Sequence, residues 1–283
     1  MKKLAASVIV VGACLAQPAW AMESTTFAGD AAEAEPVVSV RVDDSDPDDG
    51  VCTGTAIDPH WVITARHCVE AAATPGGSVR VGQGDNQRVY QVDRHEVAPR
   101  GDIALLHTTE DMGLSTYATI ADEVPSGSVN IYGWSSDGSG GSTKLPSATA
   151  TVRGESPLAL FDAPVALDVA LDNGARIQPG DSGGAIFSGG KVAGVMSAGL
   201  FEDPDNPTEE EMSSNAAVAV APVAEQADWI SNVVGGADPA EMEAEEEAGP
   251  SWRNVALGLG VLALVAGGFW AATASRSART RGR

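Results

Sequence analysis

The chain has 283 residues, with 39 acidic against 17 basic side chains, for a formal net charge of −22. Apolar residues make up 43% and charged residues 20%, a mix that can bury a core and excludes global disorder. The acid excess excludes nucleic acid as a partner, because that binding needs clustered Lys and Arg. Aromatics are scarce at 5%, while Gly and Pro are plentiful. Short strands and many turns are therefore expected, rather than long helices.

Residues 1–21 read as an export signal. Lys2 and Lys3 give the positive start, residues 4–15 an apolar run, and Ala19-Trp20-Ala21 a small-x-small cleavage site. The run is too short to span a membrane. The mature chain is expected to start at Met22, with a leading segment over 22–36.

Between 37 and 234, apolar β-branched runs recur, broken by Gly, Pro, Asp or Asn. They cover 37–42, 61–65, 78–81, 89–92, 103–106, 129–132, 148–152, 165–171, 184–187, 192–197 and 216–220. This pattern predicts an all-β domain, and about a dozen strands suit two small barrels better than one sheet. One helix is expected over 223–234, with Val223, Ala227, Ile230 and Val234 on one face, and Gly235 and Gly236 stop it.

Residues 235–252 are acidic and small, the composition of a linker. A separate transmembrane helix is expected over 253–275. Its uncharged centre starts at Val255, ends at Ala274 and is long enough to cross a hydrocarbon core. Arg276, Arg279, Arg281 and Arg283 follow, which puts the 276–283 tail in the cytoplasm and the rest outside. The arrangement resembles bacterial C-terminal sorting tails. Such tails are often cut after export, in which case a tail-processing protease would be a partner and the domain would be released.

All 39 acidic residues lie in the exported stretch 22–250. The plain reading is solubility; the sharper one is steering of cationic substrates. Cys14 leaves with the signal. Cys52 and Cys68 remain, and two cysteines in an exported domain pair more often than not. Neither has metal-ligand spacing, so no metal is expected.

Three short segments carry chemistry: Thr64-Ala65-Arg66-His67-Cys68, Gly101-Asp102-Ile103-Ala104-Leu105-Leu106 and Gly180-Asp181-Ser182-Gly183-Gly184. A serine hydroxyl is a poor nucleophile until a base takes its proton, and an imidazole titrates near working pH. Taken singly, the three fit a structural histidine, a strand-start cap and a glycine turn. Together, and in this order, they resemble the chymotrypsin-like (trypsin) serine protease family, from about Phe27 to Val234. Gly133-Trp134, Ser197-Ala198-Gly199 and Asp228-Trp229-Ile230 agree with it.

The resemblance implies two orthogonal six-stranded antiparallel barrels with a C-terminal helix, and a serine endopeptidase acting on proteins or peptides without a cofactor. It implies His67 as base, Asp102 as its orienter and Ser182 as nucleophile. The backbone amides of Gly180 and Ser182 would form the oxyanion hole, and Cys52 and Cys68 the disulfide beside the histidine. Counting back six from Ser182 puts Arg176 at the base of the specificity pocket, with Ser197 and Gly199 on the substrate-pairing strand. Arg176 opposes basic substrates, whereas the acidic stretch 202–211 favours them, so specificity stays open. The family's freed N-terminus pairs with the residue matching Asp181, and the matching stretch here is Phe27-Ala28-Gly29-Asp30, a poor copy. The family's calcium loop is not evident. A rival reading keeps the double barrel as an inert binding or adhesion module.

Overall fold

A computed structural model describes residues 22–42, 51–70, 77–83, 87–134, 144–203 and 206–236. The export signal, the transmembrane helix, the Arg tail and most of the linker lie outside the described residues. Among the described residues no helix is long and apolar enough to cross a membrane.

Six strands form the first barrel: β2 (Val37–Arg41), β3 (Val51–Asp58), β4 (Trp61–Thr64), β5 (Ser78–Val81), β6 (Arg88–Val97) and β7 (Ala104–Thr108). They close in the order β2-β3-β4-β7-β6-β5, with every pair antiparallel. Val38, Val40, Val62, Val79 and Leu106 fill it. The alternation of these valines with partners facing the other way is what a curved, closed sheet needs.

The second barrel is built from β8 (Gly127–Tyr132), β9 (Pro146–Glu155), β10 (Leu167–Leu171), β11 (Ala185–Ser188), β12 (Lys191–Gly199) and β13 (Ala217–Pro222). β8 pairs with both β9 and β11, which closes the ring. The two-residue strand β1 (Thr26–Phe27) adds to the edge of β9. The core of the second barrel includes Ile131, Ala150, Val169, Ile186 and Val220, all fully buried.

Each predicted run falls on a strand, with ends shifted by a few residues. β3 was not expected, because Thr53-Gly54-Thr55 interrupts its apolar pattern. The expected helix begins as a 3-10 turn over Ala224–Gln226 and continues as an α-helix over Ala227–Val234. Val223, Ile230 and Val233 are its buried residues, so Val233 takes the inward place expected of Val234. A helix over Glu209–Ser214 overlaps the end of the acidic stretch 202–211, where no helix was expected. Thr208 and Glu211 start it by a reciprocal capping box.

Candidate active site

His67 sits on a 3-10 turn, Arg66–Cys68, directly after β4. Asp102 lies just before β7 and is 1% exposed. Its two oxygens divide between the backbone and the ring of one residue. Oδ1 accepts from the His67 backbone N–H at 2.8 Å, and Oδ2 lies 2.7 Å from His67 Nδ1. The Ser197 hydroxyl, on β12, also donates to Asp102 Oδ2. A buried carboxylate needs this many donors to stay charged without water. Because an ionised carboxylate only accepts, Nδ1 carries the proton and Nε2 keeps a free lone pair.

Ser182 is half-buried on the loop entering β11. Thr53 of the first barrel holds that loop. Its N–H donates to the Ser182 carbonyl at 2.8 Å and its hydroxyl to the Gly180 carbonyl at 2.8 Å. The same hydroxyl accepts from the Trp134 N–H at 2.8 Å, and Thr64 Oγ1 donates to the Thr53 carbonyl at 2.8 Å. Thr53 thus engages the carbonyls of Gly180 and Ser182 and not their N–H groups.

Gly183 explains how closely the barrels meet. Its φ is +82°, and a Cβ there would stand 2.1 Å from Thr64 Oγ1 and 2.3 Å from the Thr53 carbonyl. Only glycine fits such an approach. Cys52, beside Thr53, is disulfide-bonded to Cys68, beside His67. β3 therefore links the two: Thr53 holds the Ser182 loop and Cys52, next to it, holds the turn bearing His67.

Asp181 is fully buried. Its Oδ2 accepts from the Gln178 N–H at 2.8 Å and its Oδ1 from the Met22 nitrogen at 3.2 Å. Burial pushes its carboxyl well above the usual range, against these hydrogen bonds. The residue that reaches Asp181 is thus Met22, not Phe27. Phe27 lies on β1 against Pro146 and is 42% exposed. Phe27-Ala28-Gly29-Asp30 carries the glycine, but Met22 makes the contact because Glu23, next to it, pairs with Arg176.

Arg176 is partly buried and is held through its backbone. Its N–H donates to the Glu23 carbonyl at 2.9 Å, and its carbonyl accepts from the Glu23 N–H at 3.0 Å. The next residue, Ile177, donates to the Asn215 carbonyl at 2.8 Å. Gly199 ends β12, and a Cβ on it would come within 2.5 Å of the Asn215 amide and 2.7 Å of the Phe201 ring. Ser197, expected on the substrate-pairing strand, donates its hydroxyl to Asp102.

Among the described residues, Cys52, His67 and Cys68 are the one His, Cys or acid group with donor atoms within 4.8 Å of one another. Both sulfurs are spent in the disulfide, so no thiolate is left for a metal. Motif reading missed two contacts at the site, those of Thr53 with the Gly180–Ser182 loop and of Met22 with Asp181. The cleavage site ending at Ala21 was the available signal for Met22.

A family model described as Trypsin matches residues 28–230. An uncharacterised peptidase of Corynebacterium glutamicum strain R is 28% identical over 191 residues, spanning 65% of this chain and 64% of that protein. The chain thus covers less than two thirds of that relative's length. Trypsin Tyr p 3.0101 of Tyrophagus putrescentiae is 29% identical over 189 residues, covering 55% of this chain and 66% of that protein. Among solved structures, mouse neuropsin, a serine protease, superposes with a TM-score of 0.53 at 19% identity, over 71% of this chain and 96% of its own. Kallikrein-related peptidase 10 does so with a TM-score of 0.54 at 21% identity, over 71% and 97%. At these identities the two structures speak for the fold.

Proposed function

The chain belongs to the trypsin family of serine peptidases, and from that premise we propose that it is an exported serine endopeptidase working through an acyl-enzyme on Ser182. The observation that carries the reading is the pair of contacts between His67 and Asp102, at 2.7 and 2.8 Å, with Thr53 engaging the Gly180–Ser182 loop from the strand whose Cys52 bridges to Cys68.

Asp102 holds His67 so that Nε2 faces outward as a base. Nε2 takes the Ser182 proton as Oγ attacks the scissile carbonyl carbon, and the carbonyl electron pair moves onto oxygen. The N–H groups of Gly180 and Ser182 stabilise that oxyanion, the largest single contribution in such sites. Collapse expels the amine, which takes its proton from the His67 cation. Water, activated by the same imidazole, then splits the acyl ester and restores Ser182. No cofactor takes part. The substrate is a protein or peptide outside the cytoplasm. The leader over 1–21 supports export, and the uncharged run over 255–274 supports tethering by a single span until a tail-processing protease acts.

The test is to incubate the purified full chain with an unfolded protein and map the cuts by mass spectrometry. Internal cuts, absent with Ser182→Ala, are expected. Release of terminal residues alone would overturn the endopeptidase assignment. Intact substrate beside a folded chain would favour the inert module.

A further inference from the structure

We propose that Phe161, on a loop of the second barrel, is a positioning residue for His67 and Asp102 of the first: it holds the residue before each of them, and so sets the angle at which the imidazole is presented. The proposal rests on the serine-peptidase reading above and adds to it a residue that acts through Arg66 and Gly101.

Two contacts of one residue carry it. The Arg66 guanidinium lies over the Phe161 ring, 4.4 Å from its centre. The Phe161 carbonyl accepts from the Gly101 N–H at 2.8 Å. Arg66 is joined directly to His67, and Gly101 to Asp102. The two segments are also linked within the first barrel. Arg66 Nη1 donates to the Ala98 carbonyl at 3.3 Å, and the Ala98 N–H donates to the Ile103 carbonyl at 2.9 Å, one residue past Asp102. Arg66 Nη2 reaches Glu70 at 2.7 Å, which orients the guanidinium from its other side.

The loop holds Phe161 under strain. It runs from β9 to β10, and the Ser156 N–H closes its base on the Ala166 carbonyl at 2.8 Å. At its tip the Ala163 N–H donates to the Leu160 carbonyl at 3.2 Å, and the two central residues, Phe161 and Asp162, have φ of +54° and +53°. Turns with two left-handed central residues take Gly, Asn or Asp. Asp162 follows that rule and Phe161 breaks it. A bulky side chain in this conformation persists where its surroundings hold it, and such residues gather at functional sites. Here the surroundings are the Arg66 guanidinium and the Gly101 N–H. A cation over an aromatic face gains strength as water is excluded, and the Arg66 side chain is only 21% exposed. Nε2 of His67 must reach first Ser182 Oγ and then the leaving amine, so the rate depends on how the turn and loop of the first barrel are held.

The test uses the full exported chain and p-nitrophenyl acetate, an ester that offers the loop no peptide to bind. Stopped-flow measurement of the acylation burst separates rate from KM, and urea unfolding reads stability. Phe161→Leu removes the ring and keeps the carbonyl. It should slow acylation roughly 10-fold with KM unchanged, since a misplacement of about 1 Å is worth roughly 100-fold. Phe161→Tyr keeps the ring face and should acylate at the parent rate. Arg66→Met removes the cation from the other side of the contact, should slow acylation by at least the same factor, and keeps the test decisive if the loop variant folds poorly. The double variant should be no slower than Arg66→Met alone, because that change already breaks the contact. Acylation at the parent rate in Arg66→Met or in folded Phe161→Leu would overturn the proposal, even with a lowered urea midpoint, because the residue would then be structural only. So would a change in KM alone, the mark of a loop that touches substrate, or losses that multiply in the double variant. Each of these leaves Ser182 as the nucleophile. A folded parent with no burst would sink the serine-peptidase reading and this proposal together.

Discussion

Replacing both Cys52 and Cys68 by alanine opens the ring that joins β3 to the turn bearing His67. The bridge spans a sequence separation of 16. Closing a loop of that size removes enough unfolded-chain entropy to stabilise the fold by about 3 kcal/mol at 25 °C. Cys52 is 6% exposed and belongs to the core of the first barrel, so truncation leaves a small cavity and the loss should be no smaller than this. Equilibrium unfolding in urea reads it directly. With a slope of about 3 kcal/mol/M the midpoint should fall by about 1 M. A fall in stability under about 1 kcal/mol would refute the reasoning, because the bridge would then constrain nothing that unfolding releases.

Three further outcomes are expected. Thr53→Val keeps the shape but strands the Gly180 carbonyl and the Trp134 N–H, which should lower stability by about 2 kcal/mol in a urea titration; it should also slow acylation in single-turnover kinetics, and an unchanged rate would count against the clasp. Ser197→Ala removes one donor from buried Asp102, and at about 1.5–3 kcal/mol for a hydrogen bond to a charged group kcat should drop roughly 10- to 100-fold; an effect confined to KM would return Ser197 to a substrate-pairing role alone. Deleting residues 251–283 should release active enzyme from the membrane fraction of the exporting host, and activity that stayed with the membrane would refute the anchor.

Much of the fold was legible because its strands are short, apolar and punctuated. β3 escaped because the surface where the barrels meet is polar. Thr53 and Thr55 are fully buried there, and Thr53 spends its hydroxyl on Gly180 and Trp134 rather than on a core. The Glu209–Ser214 helix escaped because three glutamates in its first turn read as a solvated loop, although acids at a helix start are favourable and Thr208 caps it. His67, Asp102 and Ser182 were legible because each sits in a short motif whose neighbours have their own structural task. The clasp by Thr53 and the contact of Met22 with Asp181 were not, since each joins residues far apart in the chain with no local pattern linking them. In the case of Met22, the cleavage site and Asp181 were both visible in the sequence. Only the strand register of Glu23 with Arg176 connects them.

The most direct test of the account is stoichiometric labelling of the exported, leader-free chain with a fluorophosphonate, followed by mapping of the adduct by mass spectrometry. A single adduct on Ser182, lost in Ser182→Ala and strongly slowed in His67→Ala, is predicted. A folded parent that takes up no label, or one labelled equally in the Ser182→Ala chain, would contradict it.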